Sequence, residues 1–336
     1  MHVCGVDGKG AQVKDGRYRL GEFKSRFEET METAEIVIVG GGFAGIAAGI
    51  TLARANRRVV VIDSGQPRNR ASSHLHGVVG QEGTNPSALL ASAHQDFAGF
   101  GGILWPGYVD SLQPAVGQGA GWIVSVSGGE QIKARHILVA TGITDLLPEV
   151  PGLEGLWGTR VFHCPYCHGY ESRGKSIGVI GGKNPKFTFR MVNLLRKWTD
   201  AVTFYPNGLA LVPDQRELLQ RRGISLVEAP VEKVVPIRDK TAGVVVETAE
   251  VKESFDVCFT GPEFCPNDSL LRKAGCQVHD GWVVSEGGKT SLPGIWTAGN
   301  VTSSPDQISQ ALGSGVAVAI RIDQEILDAE LASCRE

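Results

Sequence analysis

The chain lacks the features that would place it in a membrane, secreted or nucleic-acid-binding class. No apolar run approaches the roughly 20 residues that a transmembrane helix needs. Residues 1–30 contain no apolar segment of the kind found in signal peptides. The formal net charge is only −3, which gives no basis for attraction to nucleic acid or to an anionic membrane. These absences predict a soluble, cytoplasmic protein that binds neither nucleic acid nor membrane.

Cysteine is scarce and irregularly placed. The seven cysteines form an odd number, and outside one Cys-x-x-Cys pair they are scattered, which argues against a secreted disulfide framework. A second Cys-x-x-Cys pair is missing, and Cys258 and Cys265 do not supply the spacing of a zinc site. We therefore predict a reducing compartment and no metal site.

Residues 1–30 differ in character from the rest of the chain. They are dense in Lys, Arg and Glu and end just before Met31, which leads into the first apolar strand. We predict a disordered tail, or an upstream start codon with Met31 as the true start. A regulatory arm is the third interpretation of this segment.

A dinucleotide-binding unit is predicted immediately after Met31. The apolar run Glu35 to Val39 leads directly into Gly40 to Gly45, which has the pattern G-x-G-x-x-G. A helix over residues 46–55 and a strand over 58–62 follow, and the strand ends at Asp63, where a ribose hydroxyl needs an acceptor.

A second unit of the same kind begins at Ser176 to Gly182. It continues with a helix around residues 189–197 and a strand at 201–205. Two such units in 336 residues predict an α/β chain with two Rossmann-like, three-layer nucleotide-binding domains.

Residues His163 to Glu171 read His-Cys-Pro-Tyr-Cys-His-Gly-Tyr-Glu and contain the Cys-x-x-Cys pair, Cys164 and Cys167. The pattern also satisfies the attachment motif of c-type haem, but that assignment requires export. Such a pair can also belong to a zinc site or have a purely structural role. A redox pair is favoured, because Cys-x-x-Cys lowers the pKa of one thiol and holds the second within reach.

The order and spacing of these motifs resemble the low-molecular-weight thioredoxin reductases, flavoproteins of the pyridine nucleotide-disulfide oxidoreductase class II. The resemblance covers residues 31–325 and includes Ala140-Thr141-Gly142 and the segment Leu292 to Asn300. It implies a discontinuous FAD domain, residues 31–148 and 263–336, and a second domain, residues 149–262, that carries the disulfide. It also implies a homodimer. The implied flavin contacts are Gly40, Gly42, Phe43, Ala44, Gly45, Asp63, Ser64, Gly65, Arg68, His74, His76, Ala140, Thr141, Gly142, Gly299, Asn300, Gln307 and Ile308.

The C-terminal segment supports the flavin assignment independently. A helix that starts near Asp306 would point its amide groups and positive dipole end at the ligand in front of it. The small residues 311–319 would let this helix approach the ligand closely. Asn300 stands where thioredoxin reductases usually have Asp, and it can still bond the ribityl chain.

The second glycine turn departs from the NADPH-binding pattern G-x-G-x-x-A of this family. Lys183 and Lys186 replace the two critical small residues, and Pro185 removes an amide donor. The basic cluster that binds the 2′-phosphate in relatives is absent after Tyr205. We therefore predict no ordinary NADPH use, with a second flavin nucleotide as an alternative ligand of the lysines.

The disulfide motif departs as well. His168 follows the second cysteine where thioredoxin reductases have Asp, and His163 flanks the first cysteine. The string resembles that of thioredoxin-reductase-like dithiol oxidases, which return electrons to oxygen without NADPH, and of disulfide oxidoreductases fed by ferredoxin or a second flavin. By the same resemblance, Cys167 lies against the flavin and Cys164 exchanges with substrate. His168 and His163 are predicted as catalytic, with structural hydrogen bonding as the alternative for each.

The sequence thus predicts an FAD-dependent dithiol-disulfide oxidoreductase whose partner is a small-molecule dithiol or a thioredoxin-like protein. A thioredoxin-type reductase fed by ferredoxin, a second flavin or NADPH is the alternative within enzymes. A non-catalytic flavoprotein redox sensor is the alternative from another class.

Overall fold

The computed structural model describes residues 34–116, 121–237, 243–303 and 305–334. The predictions for residues 1–30 lie outside this part of the chain. The described residues form seven α-helices: α1 Phe43–Arg54, α2 Pro86–Gly99, α3 Pro165–His168, α4 Pro185–Leu195, α5 Pro213–Arg221, α6 Ser269–Ala274 and α7 Ile308–Ser333. None of these helices combines the length and the apolar character needed to cross a membrane.

The strands are short, and most belong to two parallel sheets. They are β1 Ala34–Val39, β2 Val59–Asp63, β3 Ile103–Pro106, β4 Val109–Pro114, β5 Trp122–Val126, β6 Gln131–Val139, β7 Ile143–Leu146, β8 Val161–Phe162, β9 Ile177–Ile180, β10 Val202–Tyr205, β11 Ser225–Leu226, β12 Val231–Pro236, β13 Val244–Thr248, β14 Lys252–Phe255, β15 Val257–Thr260, β16 Glu263–Pro266, β17 Val278–His279, β18 Trp282–Val283 and β19 Ile295–Thr297.

The first sheet has the order β3-β2-β1-β6-β5-β4, and β19 pairs with β6. Strands β1, β2, β3, β6 and β19 run parallel, whereas β4 and β5 extend the edge as an antiparallel pair. The side chains of β1 alternate between two hydrophobic cores, one on each face of the sheet. Ile36 and Ile38 pack on one face, and Val37 and Val39 pack on the other. Burial on both faces explains why the strand is apolar throughout.

The chain leaves this sheet after β6 and returns to it with β19. In between, β9, β10, β11, β15 and β8 form a second parallel sheet in the order β11-β10-β9-β15-β8. An antiparallel sheet, β12-β13-β14, packs beside it through a shared core. The predicted α/β class with two Rossmann-like sheets is therefore confirmed, and the first sheet is discontinuous in sequence.

Two antiparallel connecting strands join the parts. Strand β7 pairs with β16, so that Leu146 lies opposite Glu263 and Ile143 lies opposite Pro266. The segment that leaves the first sheet and the segment that returns to it therefore run side by side. The predicted boundaries at residues 148 and 262 fall beside these strands and stay a prediction.

Helix α1 packs unusually close to the long C-terminal helix α7. A Cβ atom built on Gly315 of α7 would lie 2.1 Å from the carbonyl oxygen of Ala44 in α1. The missing side chain thus lets the two helices approach to backbone contact. This approach places the starts of α1 and α7 at the same side of the first sheet.

We expect Gly315→Ala to destabilise the protein by about 1–3 kcal/mol, because a methyl group must be forced into this helix contact. Gly313→Ala is the matched control, since a Cβ there meets nothing within 4 Å. It should be neutral or stabilising by about 0.5–1 kcal/mol, because Ala is the better helix former. Urea unfolding of both variants measures the difference, and equal midpoints would contradict this packing.

Candidate active site

The first glycine turn is built by backbone contacts that exclude side chains. Gly40 has φ +100°, and a Cβ there would lie 2.6 Å from the carbonyl oxygen of Ala140. A Cβ on Gly45 would lie 1.9 Å from the carbonyl oxygen of Gly40. The amide of Gly41 donates to Asp63 Oδ1 at 3.0 Å, which fixes the carboxylate at the end of β2.

Gly42 differs from these glycines, because a Cβ added there meets nothing within 4 Å. It precedes the first residue of α1, and no side chain caps that helix start. Open space in front of uncapped amides is the environment that a pyrophosphate needs. The residues Gly40 to Gly45 and Asp63 therefore fit the dinucleotide part of FAD.

The segment after β19 reaches the same region. Asn300 Oδ1 accepts from the amide of Asp306 at 2.8 Å, so this side chain also holds the loop before α7. Gln307 is the N-cap residue of α7, its backbone amide donates to Gln310 Oε1 at 2.9 Å, and its Nε2 lies 3.8 Å from Cys167 Sγ. The start of α7 is thereby placed against the Cys-x-x-Cys pair, which is where the flavin ring is predicted.

Several of the predicted flavin residues have protein partners in the structure. Arg68 forms a bidentate ion pair with Asp145, with N–O distances of 2.8 and 2.7 Å. Thr141 Oγ1 donates to the carbonyl oxygen of Asn267 at 2.7 Å. The assignments of Arg68, Thr141 and the remaining members of the predicted set to flavin contacts stay predictions.

Cys164 and Cys167 form a disulfide with Cα atoms 5.3 Å apart. Cys164 is the N-cap of the single-turn helix α3, and its Sγ accepts from the amide of Cys167 at 3.2 Å. The pair lies in a cavity of about 560 Å³. Its lining combines residues predicted to contact flavin, among them Arg68, His76 and Gln307, with the α4 residues Phe187, Arg190 and Met191.

His168 is the imidazole that directly follows the pair. It stacks on Phe162 with ring centroids 3.9 Å apart and an interplanar angle of 17°. Burial, together with the nearby His76, lowers its pKa to about 4. His168 is therefore neutral at physiological pH and can accept a proton from a thiol.

His163 lies in a different environment. Its Nε2 is 3.1 Å from Arg68 Nη2, and its ring stacks on Trp157 at a centroid distance of 5.5 Å. Burial and the Arg68 cation lower its pKa to about 3. Because Arg68 can only donate, Nε2 must be the acceptor, so the site holds a neutral imidazole. This geometry favours a positioning role for His163 over the predicted proton transfer.

The remaining cysteines within the described residues are separate from this pair. Cys258 and Cys276 are buried, Cys265 is partly buried, and Cys334 is exposed. Burial raises the pKa of Cys258, Cys265 and Cys276, which disfavours the thiolate. These three thiols are therefore poor candidates for redox chemistry, which stays predicted for Cys164 and Cys167.

Sequence reasoning missed three residues that shape the site. Asp145 orients Arg68, Phe162 covers one face of His168, and Asn184 caps α4. Only the last had a readable signal, because Asn followed by Pro is typical of a helix start. Asp145 and Phe162 come from strands β7 and β8, whose placement depends on the tertiary fold.

Comparison with known proteins agrees with this geometry. The chain matches the family model described as pyridine nucleotide-disulphide oxidoreductase over residues 34–184 and 214–315. The chain belongs to this family. Together, the family match, the fold, the glycine turn and the disulfide make it a thioredoxin-reductase-like flavoprotein.

Individual members of the family extend the comparison. The chain is 32% identical to thioredoxin reductase tcpT of Claviceps purpurea over 185 residues, which are 53% of this chain and 58% of that protein. It is 23% identical to thioredoxin reductase sirT of Leptosphaeria maculans over 314 residues, 89% of this chain and 96% of that protein. The match thus spans just over half of the first relative and nearly all of the second.

Two solved structures of the family are also similar. The crystal structure of HlmI has 36% identity and a TM-score of 0.85, covering 90% of this chain and 95% of that one. An oxidoreductase from Agrobacterium tumefaciens has 31% identity and a TM-score of 0.79, covering 88% and 99% of the two chains.

The substitution Gly42→Asp tests the FAD site without disturbing the protein interior, since the new side chain enters open space. We expect a folded protein whose FAD affinity falls by about tenfold or more, because a carboxylate would face the pyrophosphate. Gly155→Asp is the control, as its Cβ also meets nothing within 4 Å. Flavin content measured by absorbance decides the outcome, and full occupancy in Gly42→Asp would show that this turn does not bind the cofactor.

Proposed function

We propose that the protein passes electrons between a substrate thiol pair, the Cys164–Cys167 disulfide and FAD, without ordinary use of NADPH. The observation that carries this proposal is the contrast between its two glycine turns. The first turn has an open, uncapped helix start, whereas the second is closed by its own residues.

The closure of the second turn comes from a side chain and a proline of the turn itself. Asn184 Oδ1 accepts from the amide of Phe187 at 3.1 Å, so a protein oxygen occupies a position available to a phosphate. Pro185 is the first residue of α4 and has no amide hydrogen. Two of the donors that a pyrophosphate would use are therefore lost.

Steric crowding at the second glycine turn also disfavours binding of an NADPH pyrophosphate. Gly45 of the first turn has no space for a Cβ, because the carbonyl oxygen of Gly40 lies 1.9 Å from that position. Lys186 stands at the matching position of the second turn and carries a Cβ. Helix α4 accordingly begins four residues after Gly181, whereas α1 begins three residues after Gly40. Helix α4 cannot pack against its turn as α1 does.

The charges around the second turn also disfavour a 2′-phosphate. Lys183 Nζ lies 3.5 Å from a carboxylate oxygen of Glu149, so its charge is already balanced. Strand β10 ends at the buried Tyr205, whose hydroxyl donates to Glu253. Residues 206–211, which follow this strand, contain no Lys or Arg, whereas NADPH-dependent relatives are expected to have cations there. A second flavin at this turn is not supported by the comparisons.

The disulfide has two sides with different surroundings. Cys167 Sγ lies 3.8 Å from Gln307 Nε2 at the start of α7, which supports Cys167 as the cysteine nearer the flavin. FAD, when bound, supplies the two-electron oxidant or reductant for the pair. Cys164 then remains as the thiol that exchanges with substrate.

His168 supports proton transfer during this exchange. A thiol must lose its proton before its sulfur can attack a disulfide. The neutral imidazole of His168 immediately follows Cys167 and lines the same cavity. It can therefore take the proton of an incoming thiol.

A small-molecule dithiol is the substrate class that the cavity supports best. A volume of about 560 Å³ is within the range of small-ligand sites, although the flavin ring must share this space. Phe187 and Met191 supply apolar surface, and Arg190 supplies a positive charge. A thioredoxin-like protein is the second candidate, and the names of the relatives from Claviceps purpurea and Leptosphaeria maculans favour it.

One further prediction about partners, the homodimer, has support in the structure. An exposed apolar stripe on α7 supports the predicted homodimer: Val316, Ile320, Leu327 and Leu331 recur at helical spacing. Ferredoxin as electron partner, the redox-sensor alternative and the cytoplasmic location stay predictions.

We expect a dithiol such as dithiothreitol to reduce the flavin under anaerobic conditions at the rate of turnover. Reduction by NADPH should be at least ~100-fold slower, corresponding to about 2.7 kcal/mol of lost transition-state binding, because the second turn is closed. Rapid-mixing absorbance at the flavin band measures both rates on the same preparation. Flavin bleaching by NADPH at the turnover rate would restore an ordinary NADPH-dependent reductase.

We expect Cys167→Ser to abolish electron exchange between substrate and flavin, because the thiol nearer the flavin is lost. Cys164→Ser should leave Cys167 as an unpaired thiolate, seen as a long-wavelength absorption band beside oxidised flavin, with little turnover. The exposed Cys334 provides the control Cys334→Ser, which should behave as wild type. An active Cys164→Ser enzyme would place substrate exchange elsewhere.

A further inference from the structure

A second cavity adjoins the disulfide cavity and shares His74, His76 and His168 with it. Its volume is about 190 Å³, enough to hold several water molecules. Its wall is rich in titratable and charged side chains. They are His74 and His76 of the loop after β2, His168 and Glu171 of the α3 region, Lys175, and Asp256 of the turn before β15.

His168 has an unused nitrogen in this region. Its Nδ1 is buried and has no hydrogen-bond partner among the residues that the structure describes. The ring is edge-on to His76, with centroids 6.0 Å apart and an interplanar angle of 83°. A buried imidazole nitrogen without a partner carries a desolvation cost. His168 itself lines both cavities, where its ring can meet water.

His76 in turn is oriented by a carboxylate. Its Nδ1 lies 2.5 Å from Glu82 Oε1, and the amide of Gly77 donates to Glu82 Oε2 at 3.0 Å. The hydrogen bond from His76 lowers the pKa of Glu82, so the carboxylate stays ionised. Glu171 Oε1 lies 3.7 Å from the same Nδ1. With Nδ1 committed to Glu82, Nε2 is the nitrogen of His76 that can exchange a proton.

The reaction of the proposed function produces a proton that must leave the site. One substrate thiol gives up its proton and its sulfur bonds to Cys164 Sγ, while the Cys164–Cys167 bond breaks and Cys167 leaves as thiolate. The second substrate thiol then displaces Cys164, which keeps one proton. The substrate loses two electrons and two protons, the protein disulfide gains two electrons, and one proton remains to be released.

We propose that this proton leaves through His168 and water to His76, which the Glu82 carboxylate orients, and then reaches solvent. His76 is thus a relay residue for the oxidation of a dithiol, and this assignment rests on the proposed function.

The test uses the flavin-loaded enzyme mixed anaerobically with dithiothreitol in weakly buffered solution. Rapid quenching with thiol alkylation gives the rate of disulfide reduction, and a pH-indicator dye gives the rate of proton release. The variants are His76→Gln, which keeps a polar side chain but cannot relay, and Glu82→Gln, which removes only the carboxylate charge. His279→Gln is the matched control, because His279 also faces a carboxylate, Asp280, at 3.4 Å but lies exposed on the surface.

We expect His76→Gln to slow both rates by about 100-fold or more, the lower end of the range for proton-transfer residues. Added imidazole should restore the rate of this variant with increasing concentration and leave wild type and His279→Gln unchanged. Glu82→Gln should show a smaller loss with the same rescue. Unfolding midpoints and flavin content confirm that the variants are intact.

Wild-type rates for His76→Gln at low buffer would overturn the relay. A loss that imidazole does not restore would also overturn it, since a merely structural role predicts that result. Failure of the wild-type disulfide to react with dithiothreitol is a distinguishable outcome, because it would remove the proposed function itself.

Discussion

The structure depends on the absence of side chains where two helices begin and cross. Gly45 lets α1 lie directly against the turn that precedes it, and Gly315 lets α7 lie against the backbone of α1. A single Cβ at either position would collide with a carbonyl oxygen. These contacts bring the amide ends of two helices to one side of the first sheet, where an anionic, polar cofactor can be held. The FAD assignment and the position of the redox pair both follow from this arrangement.

The second sheet reuses the same topology with a different turn. Its helix start is capped by Asn184 and begins with Pro185, so the backbone donors that bind phosphate are reduced in number. The remainder of this domain keeps a function, because it supplies Cys164, Cys167, His168 and one wall of their cavity. In our proposal, a nucleotide-type domain that no longer binds its nucleotide still positions a disulfide and a small-molecule cavity.

Much of the fold could be predicted from local sequence patterns. Strand β1, the first glycine turn and Asp63 have strong short-range signals, and the structure contains each at nearly the predicted residues. The contacts of the histidines could not be predicted in this way. His163 and His168 flank the same pair, yet Arg68 and Trp157 surround one, and Phe162 and His76 surround the other. Arg68 and His76 come from the segment after β2, far away in the sequence, and no periodicity reveals these contacts.

The central claim is that electrons enter or leave through a substrate thiol bonded to Cys164. Trapping the mixed disulfide tests it most directly: the Cys167→Ser protein is incubated with the oxidised, disulfide form of a dithiol, so that the Cys164 thiolate opens that disulfide and the freed substrate thiol is alkylated, and the adduct is mapped by mass spectrometry. The account predicts one substrate adduct per chain, on Cys164. Adducts confined to Cys265, Cys276 or Cys334, or an unmodified Cys164, would contradict it.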